Sequence, residues 1–117
     1  MKFSELAQQG KLLSRDEERI RNVLLEIVGD EEEEIDVRRR AIEALGCFSS
    51  EEIDGILQEA YDSDSLRMKQ SAIYAMGRSS DDRWLPFLVS DMKDEDASIR
   101  YEAVTACGYL GDENLVP

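Results

Sequence analysis

The stretch Val37–Cys47, VRRRAIEALGC, is written three times in this chain of 117 residues. At a spacing of 31, Val37, Met68 and Ile99 are apolar, and Arg38, Lys69 and Arg100 are basic. Ala41, Ala72 and Ala103 recur unchanged, as do Ala44, Ala75 and Ala106, with bulky Ile42, Ile73 and Val104 between them. Gly46, Gly77 and Gly108 close the copies. A fixed period of this length marks a stacked repeat, whose units bury their apolar faces against one another. The expected fold is therefore all-α, an α-solenoid of helix pairs (A then B) with a 31-residue repeat.

Outward from this stretch, residues 1–13 read as an N-terminal arm or short helix, with Phe3, Leu6, Leu12 and Leu13 in a weak pattern interrupted by Gly10. Residues 14–117 read as the repeat domain. Ser14-Arg15-Asp16-Glu17 has the form of a capping box, and Ile20, Val23, Leu24, Ile27 and Val28 follow at helical spacing up to Gly29. The first pair is expected over about 14–46, the second over 49–77 and the third over 80–108. Ser49-Ser50-Glu51-Glu52 and Ser80, Asp81 or Asp82 supply the later caps, and Gly46 stops the first helix B. Pro86 falls in the first turn of its helix, where a missing N–H costs least. Leu115 stands 31 after Trp84, so 112–117 reads as the start of a fourth pair. A solenoid closes on a capping repeat with a polar outer face, so the chain is expected to belong to a longer array.

The charge balance is 14 Lys and Arg against 27 Asp and Glu, a net −13. Such a surface repels phosphate backbones and anionic membranes, which argues against nucleic-acid or membrane binding and weakly favours a basic partner. No apolar run approaches a membrane span, and no signal peptide opens the chain, so a cytoplasmic protein is expected. Cys107 shares its register with Met76 and Leu45, whereas Cys47 shares its register with Arg78 and Tyr109, so the two are not expected to pair. Histidine is absent, which removes the commonest general base and metal ligand. No cofactor or metal is expected. Asp30–Glu34, DEEEE, reads as a solvated turn at a helix start rather than a cation site.

The segments IDVRRRAIEALG, SLRMKQSAIYAMG, DDRWLPFL and ASIRYEAVTACGYLGDENLVP together resemble the short HEAT-like repeats of the kind found in phycocyanobilin lyases. That resemblance covers roughly residues 15–117. It implies antiparallel helix pairs stacked into a right-handed superhelix, with B helices lining a concave surface. It also implies that Arg38, Lys69 and Arg100 pair with acidic turn residues, for which Asp62 or Asp64 and Asp94 or Asp96 are the candidates here.

Carboxylate pairs such as Glu17/Glu18, Glu51/Glu52 and Asp81/Asp82 sit at helix starts, where capping explains them without catalysis. Tyr61, Trp84 and Phe87 read as inter-repeat core rather than a ligand box. On each helix B, the positions opposite the alanines are Arg39, Arg40 and Glu43, then Gln70, Ser71 and Tyr74, then Tyr101, Glu102 and Thr105. These are expected to face solvent, so that Ser71→Leu would be nearly silent. Arg39, Arg40, Glu43, Tyr74, Arg78, Tyr101 and Glu102 form the candidate partner-binding set, because aromatic and arginine side chains dominate interface energetics. Tyr74 and Tyr101 are expected to lie diagonally adjacent at its centre. The expected function is a non-enzymatic scaffold holding a protein or peptide on this face. The alternative is an accessory part of a bilin-lyase-like or other modifying enzyme. Self-association through the face of Val104, Cys107 and Leu110 is expected at high concentration.

Overall fold

Each 31-residue unit carries two runs of apolar residues at helical spacing, separated by Asp- and Ser-rich turns, and each run folds as a helix. A computed structural model describes residues 3–48, 50–79 and 81–115, with side chains over 15–48, 50–79 and 81–110. The helices are α1 (Phe3–Gly29), α2 (Ile35–Leu45), α3 (Glu51–Tyr61), α4 (Leu66–Arg78), α5 (Leu85–Asp91) and α6 (Ala97–Leu115). A 3₁₀ turn, Asp82–Trp84, leads into α5. Helices α1, α3 and α5 are the A helices. Helices α2, α4 and α6 are the B helices, and they stack on one another in chain order. The result is an all-helical solenoid. Its radius of gyration, 15.9 Å, exceeds the roughly 13 Å of a compact domain of this length, as expected of a stack.

The turns hold through local hydrogen bonds. Ser50 Oγ accepts from the Ile53 amide at 3.2 Å, and Ser65 Oγ from the Met68 amide at 3.3 Å. Asp81 accepts from the Arg83 amide at 3.0 Å, and Pro86 occupies the first turn of α5. Asp96 accepts at the start of α6 from the Ser98 hydroxyl and from the amides of Ser98 and Ile99. These donors, the hydroxyl foremost, hold its carboxyl below the usual range. Ser49 and Ser80 lie outside the described residues.

Three boundaries differ from the sequence reading. Helix α1 runs unbroken from Phe3 through Gly10 and Ser14, so among the described residues Ser14 lies within a helix rather than at its start, and residues 3–13 belong to the same helix. Gly77 lies inside α4 and Gly108 inside α6, which continues to Leu115 without a turn before 112. Val116 and Pro117 lie outside the described residues. Gly46 ends α2 with ordinary right-handed dihedrals (φ −57°, ψ −23°), so no special backbone conformation selects glycine there.

Space selects it instead. A Cβ on Gly46 would stand 2.5 Å from the Ala75 carbonyl oxygen, and one on Gly77 would stand 2.8 Å from Ala106 Cβ. Each glycine therefore meets the repeating alanine of the next helix B, and the B helices touch backbone to backbone. Ala72, Ala75, Ala103 and Ala106 are buried accordingly. Ala44 is exposed; its helix, α2, has no helix B before it among the described residues. Between the A and B layers lie Leu45, Ile53, Leu57, Ile73, Met76, Trp84, Leu88, Ile99 and Leu110, all fully buried. No helix among the described residues is long and apolar enough to cross a membrane.

Candidate functional site

The basic ladder is built differently from expectation. Arg38 donates from Nε and Nη2 to the Val28 carbonyl, at 3.2 and 3.0 Å. Arg100 donates from Nη1 to the carbonyls of Asp94 and Glu95, at 2.8 and 2.9 Å. Both guanidinium groups therefore bond backbone oxygens at or just after the end of a helix A, and not the turn carboxylates. The last carbonyls of a helix lack partners and carry partial negative charge, which suits a forked donor. Lys69 has no fork. Its ammonium lies 3.9 Å from Asp91 Oδ1 and 4.8 Å from the centre of the Tyr61 ring.

The strip opposite the alanines is also not where expected. Arg39 Nη1 bonds Asp36 at 3.0 Å, while its Nε donates across to the Arg67 carbonyl of α4 at 3.2 Å. Glu43 takes Arg40 on one oxygen at 3.1 Å and accepts from the Ser71 hydroxyl on the other at 2.9 Å. Ser71 is 1% exposed. A stacked helix B has two covered flanks, and the strip divides between them: Arg39 and Glu43 of α2 face the following helix B, whereas Ser71 of α4 faces the preceding one. Arg39, Glu43 and Ser71 thus belong to the seam between α2 and α4. Ser71→Leu is accordingly expected to destabilise by about 1–3 kcal/mol, as Ala72→Leu should, since both overpack a buried flank. Thermal melts of the two variants test this, and a silent Ser71→Leu would put the residue back on the surface.

Glu102 continues the seam. Partial burial pushes its carboxyl up, repulsion from Glu43 adds to that, and Arg39 opposes it. A carboxyl raised in the folded state costs stability once ionised. That cost is absent below the unfolded value of about 4.3 and complete above the raised folded value. Glu102→Gln should therefore raise the melting temperature at pH 7, with the gain vanishing as the pH is lowered through the carboxylate range.

What remains on the surface is a smaller patch. The Arg78 guanidinium lies 5.0 Å from the Tyr74 ring centre and 4.9 Å from that of Tyr109. It is Tyr109, not Tyr101, that Arg78 joins to Tyr74. The register contained the signal, since Tyr109 stands 31 after Arg78. Arg40 is 80% exposed, and Tyr101 is 71% exposed on α6, the last helix B among the described residues. Of the expected C-terminal edge, Val104 is exposed, but Cys107 is half-buried and Leu110 is fully buried against the core. Burial, reinforced by the Asp91 charge, pushes the Cys107 thiol up. Both cysteines are free.

The aromatic residues pack on one another. Tyr61 and Phe87 meet edge to face at 5.5 Å, and Trp84 and Phe87 lie 5.9 Å apart. The Tyr61 hydroxyl donates to Asp91 Oδ2 at 2.7 Å. Burial first, then that carboxylate, pushes the phenol far above its usual range. Asp91, 5% exposed, went unnoticed in the sequence. It stands 31 after Ala60, a buried position, and an acid in such a register is the sign to look for. Among the described residues, no group of three or more Asp, Glu, Cys or His is placed to hold a metal ion.

A family model described as HEAT repeats matches residues 53–117. Human deoxyhypusine hydroxylase is 28% identical over 89 residues, covering 74% of this chain. The chain spans about 30% of that protein's length.

Proposed function

This chain belongs to the HEAT-repeat family, and on that premise we propose that it is a non-enzymatic scaffold that holds a protein or peptide against its B helices. The observation that carries the reading is the Arg78 guanidinium held between Tyr74 and Tyr109, which ties two successive repeats into one surface patch. Arginine and tyrosine are hot-spot residues, and a guanidinium already seated on rings loses less freedom when a partner covers it. Arg40 and Tyr101 are further exposed side chains of the B helices, while Arg39, Glu43 and Glu102 support the surface from the seam. The −13 net charge favours a basic partner and disfavours nucleic acid and anionic membranes. A cytoplasmic location fits the same charge and composition. Affinity capture with the chain and with a Tyr74→Ala/Tyr109→Ala variant, read by quantitative mass spectrometry, tests the proposal. A partner should be lost with the rings while the melting temperature hardly moves; retention of every partner would sink the patch.

The similarity to a hydroxylase favours a second reading, as an accessory part of a modifying enzyme, with bilin-lyase-like chemistry one form of it. The same capture separates the two. A bound chromophore or a covalently altered protein in the eluate would favour the second.

A further inference from the structure

The A helices do not touch as the B helices do. Between α1 and α3 lies a cavity of about 490 Å³, floored by side chains that include Leu25, Ile56, Ala60 and Met68. This falls within the ~300–1,000 Å³ typical of binding pockets. Its rim carries Glu31, Glu52 and Glu59, all exposed. The cation in its lining, Arg38, already donates to the Val28 carbonyl.

The next interface shows what such a space accepts. Adding 31 converts Ile56 to Phe87, Ala60 to Asp91, Arg38 to Lys69 and Asp30 to Tyr61. There, between α3 and α5, the Tyr61 and Phe87 rings meet at 5.5 Å, with a lysine 4.8 Å from the Tyr61 ring centre. The first interface has the same helices in the same register without the aromatic residues. Its floor is apolar and its rim is acidic.

We infer that the α1–α3 groove binds an aromatic side chain from a basic peptide segment. The ring enters where Tyr61 and Phe87 sit one repeat later, and the flanking lysine or arginine residues meet Glu31, Glu52 and Glu59. This rests on the reading of the chain as a binding module, but on a surface separate from the Tyr74–Arg78–Tyr109 patch. Removing a phenylalanine ring from water is worth roughly ten- to a hundredfold in affinity, so the ring and the charge can be tested apart.

The probe is an acetylated, amidated Lys-Arg-Phe-Lys-Arg peptide titrated into the full, isotopically labelled chain and followed by NMR. Saturable shifts are expected at Ile56, Ala60 and Met68. Alanine in place of the peptide's phenylalanine should weaken binding roughly tenfold or more, and glutamate in place of its basic residues should abolish it. Asp30→Tyr/Ile56→Phe, which supplies the groove with its own rings, should abolish binding without lowering the melting temperature. Should that variant fail to fold, Glu52→Gln/Glu59→Gln alters only exposed rim carboxylates and should weaken binding several-fold. The inference is overturned by the absence of saturation at millimolar peptide, or by equal binding of the phenylalanine and alanine peptides. Shifts centred on Tyr74, Arg78 and Tyr109 would also overturn it, while leaving the B-helix patch standing.

Discussion

Replacing Asp91 by alanine is expected to lower stability by about 3 kcal/mol. The carboxylate is 5% exposed and serves two groups from the preceding repeat: the Tyr61 hydroxyl at 2.7 Å and the Lys69 ammonium at 3.9 Å. Its removal leaves a phenol without an acceptor and an ammonium, 22% exposed, without its counter-charge. Breaking such a pair costs more than the pair itself contributes, because the partly desolvated remainder is hydrated less well than in the unfolded chain. Asp91→Asn keeps an acceptor for Tyr61 and should recover part of the loss. Lys69→Met in the Asp91→Ala background should recover more, since no uncompensated charge remains. Urea unfolding of the four chains decides it, and an Asp91→Ala midpoint equal to wild type would show that the cluster contributes nothing.

Gly46→Ala and Gly77→Ala should each cost about 2–3 kcal/mol, by overpacking. The added methyl would stand 2.5 Å from the Ala75 carbonyl oxygen in one case and 2.9 Å from Ala106 Cα in the other. These neighbours are backbone or a methyl next to it, so no side chain can rotate away and the helices themselves must move. Gly55→Ala is the opposing control. It lies within α3 with nothing within 4 Å of a new Cβ, and alanine there should gain about 0.5–1 kcal/mol through helix propensity alone. Opposite signs in thermal melts are the expected result. If all three variants shift in the same direction, the close approach is not what selects glycine at 46 and 77.

The helices were legible because their determinants are local. Spacing places Ile53, Leu57 and Ala60 on one face, and serine or aspartate precedes α3, α4, the 3₁₀ turn and α6 with an oxygen aimed at the first amides. The seam was not legible, because helical periodicity separates covered from uncovered faces only when polar residues stay outside. Ser71 and Glu43 break that rule by satisfying each other across two helices 28 residues apart. Gly77, which lies inside α4 and faces Ala106, differs from expectation for a related reason. A glycine that stops a helix and one that admits a neighbouring backbone look the same in one chain, and only the distances separate them. Of the candidate set, Arg39, Glu43 and Glu102 lie in the seam, and Tyr109, the second ring on Arg78, stands one repeat beyond it.

The unequal spacing of the two layers has a geometric consequence. B helices meet at Gly46–Ala75 and Gly77–Ala106 with no side chain between them, whereas the A helices are held apart by the Tyr61 and Phe87 rings or by an open groove. Each repeat is therefore a wedge, thin along the B layer and thick along the A layer, and stacking wedges bends the array toward its thin side. The glycine–alanine contact sets the taper. A methyl group added there would unbend the stack by widening its inner edge, and a ring added between α1 and α3 would fix the outer edge. Because every repeat contributes its own angle, an ångström at one contact becomes a displacement that grows with distance along the chain.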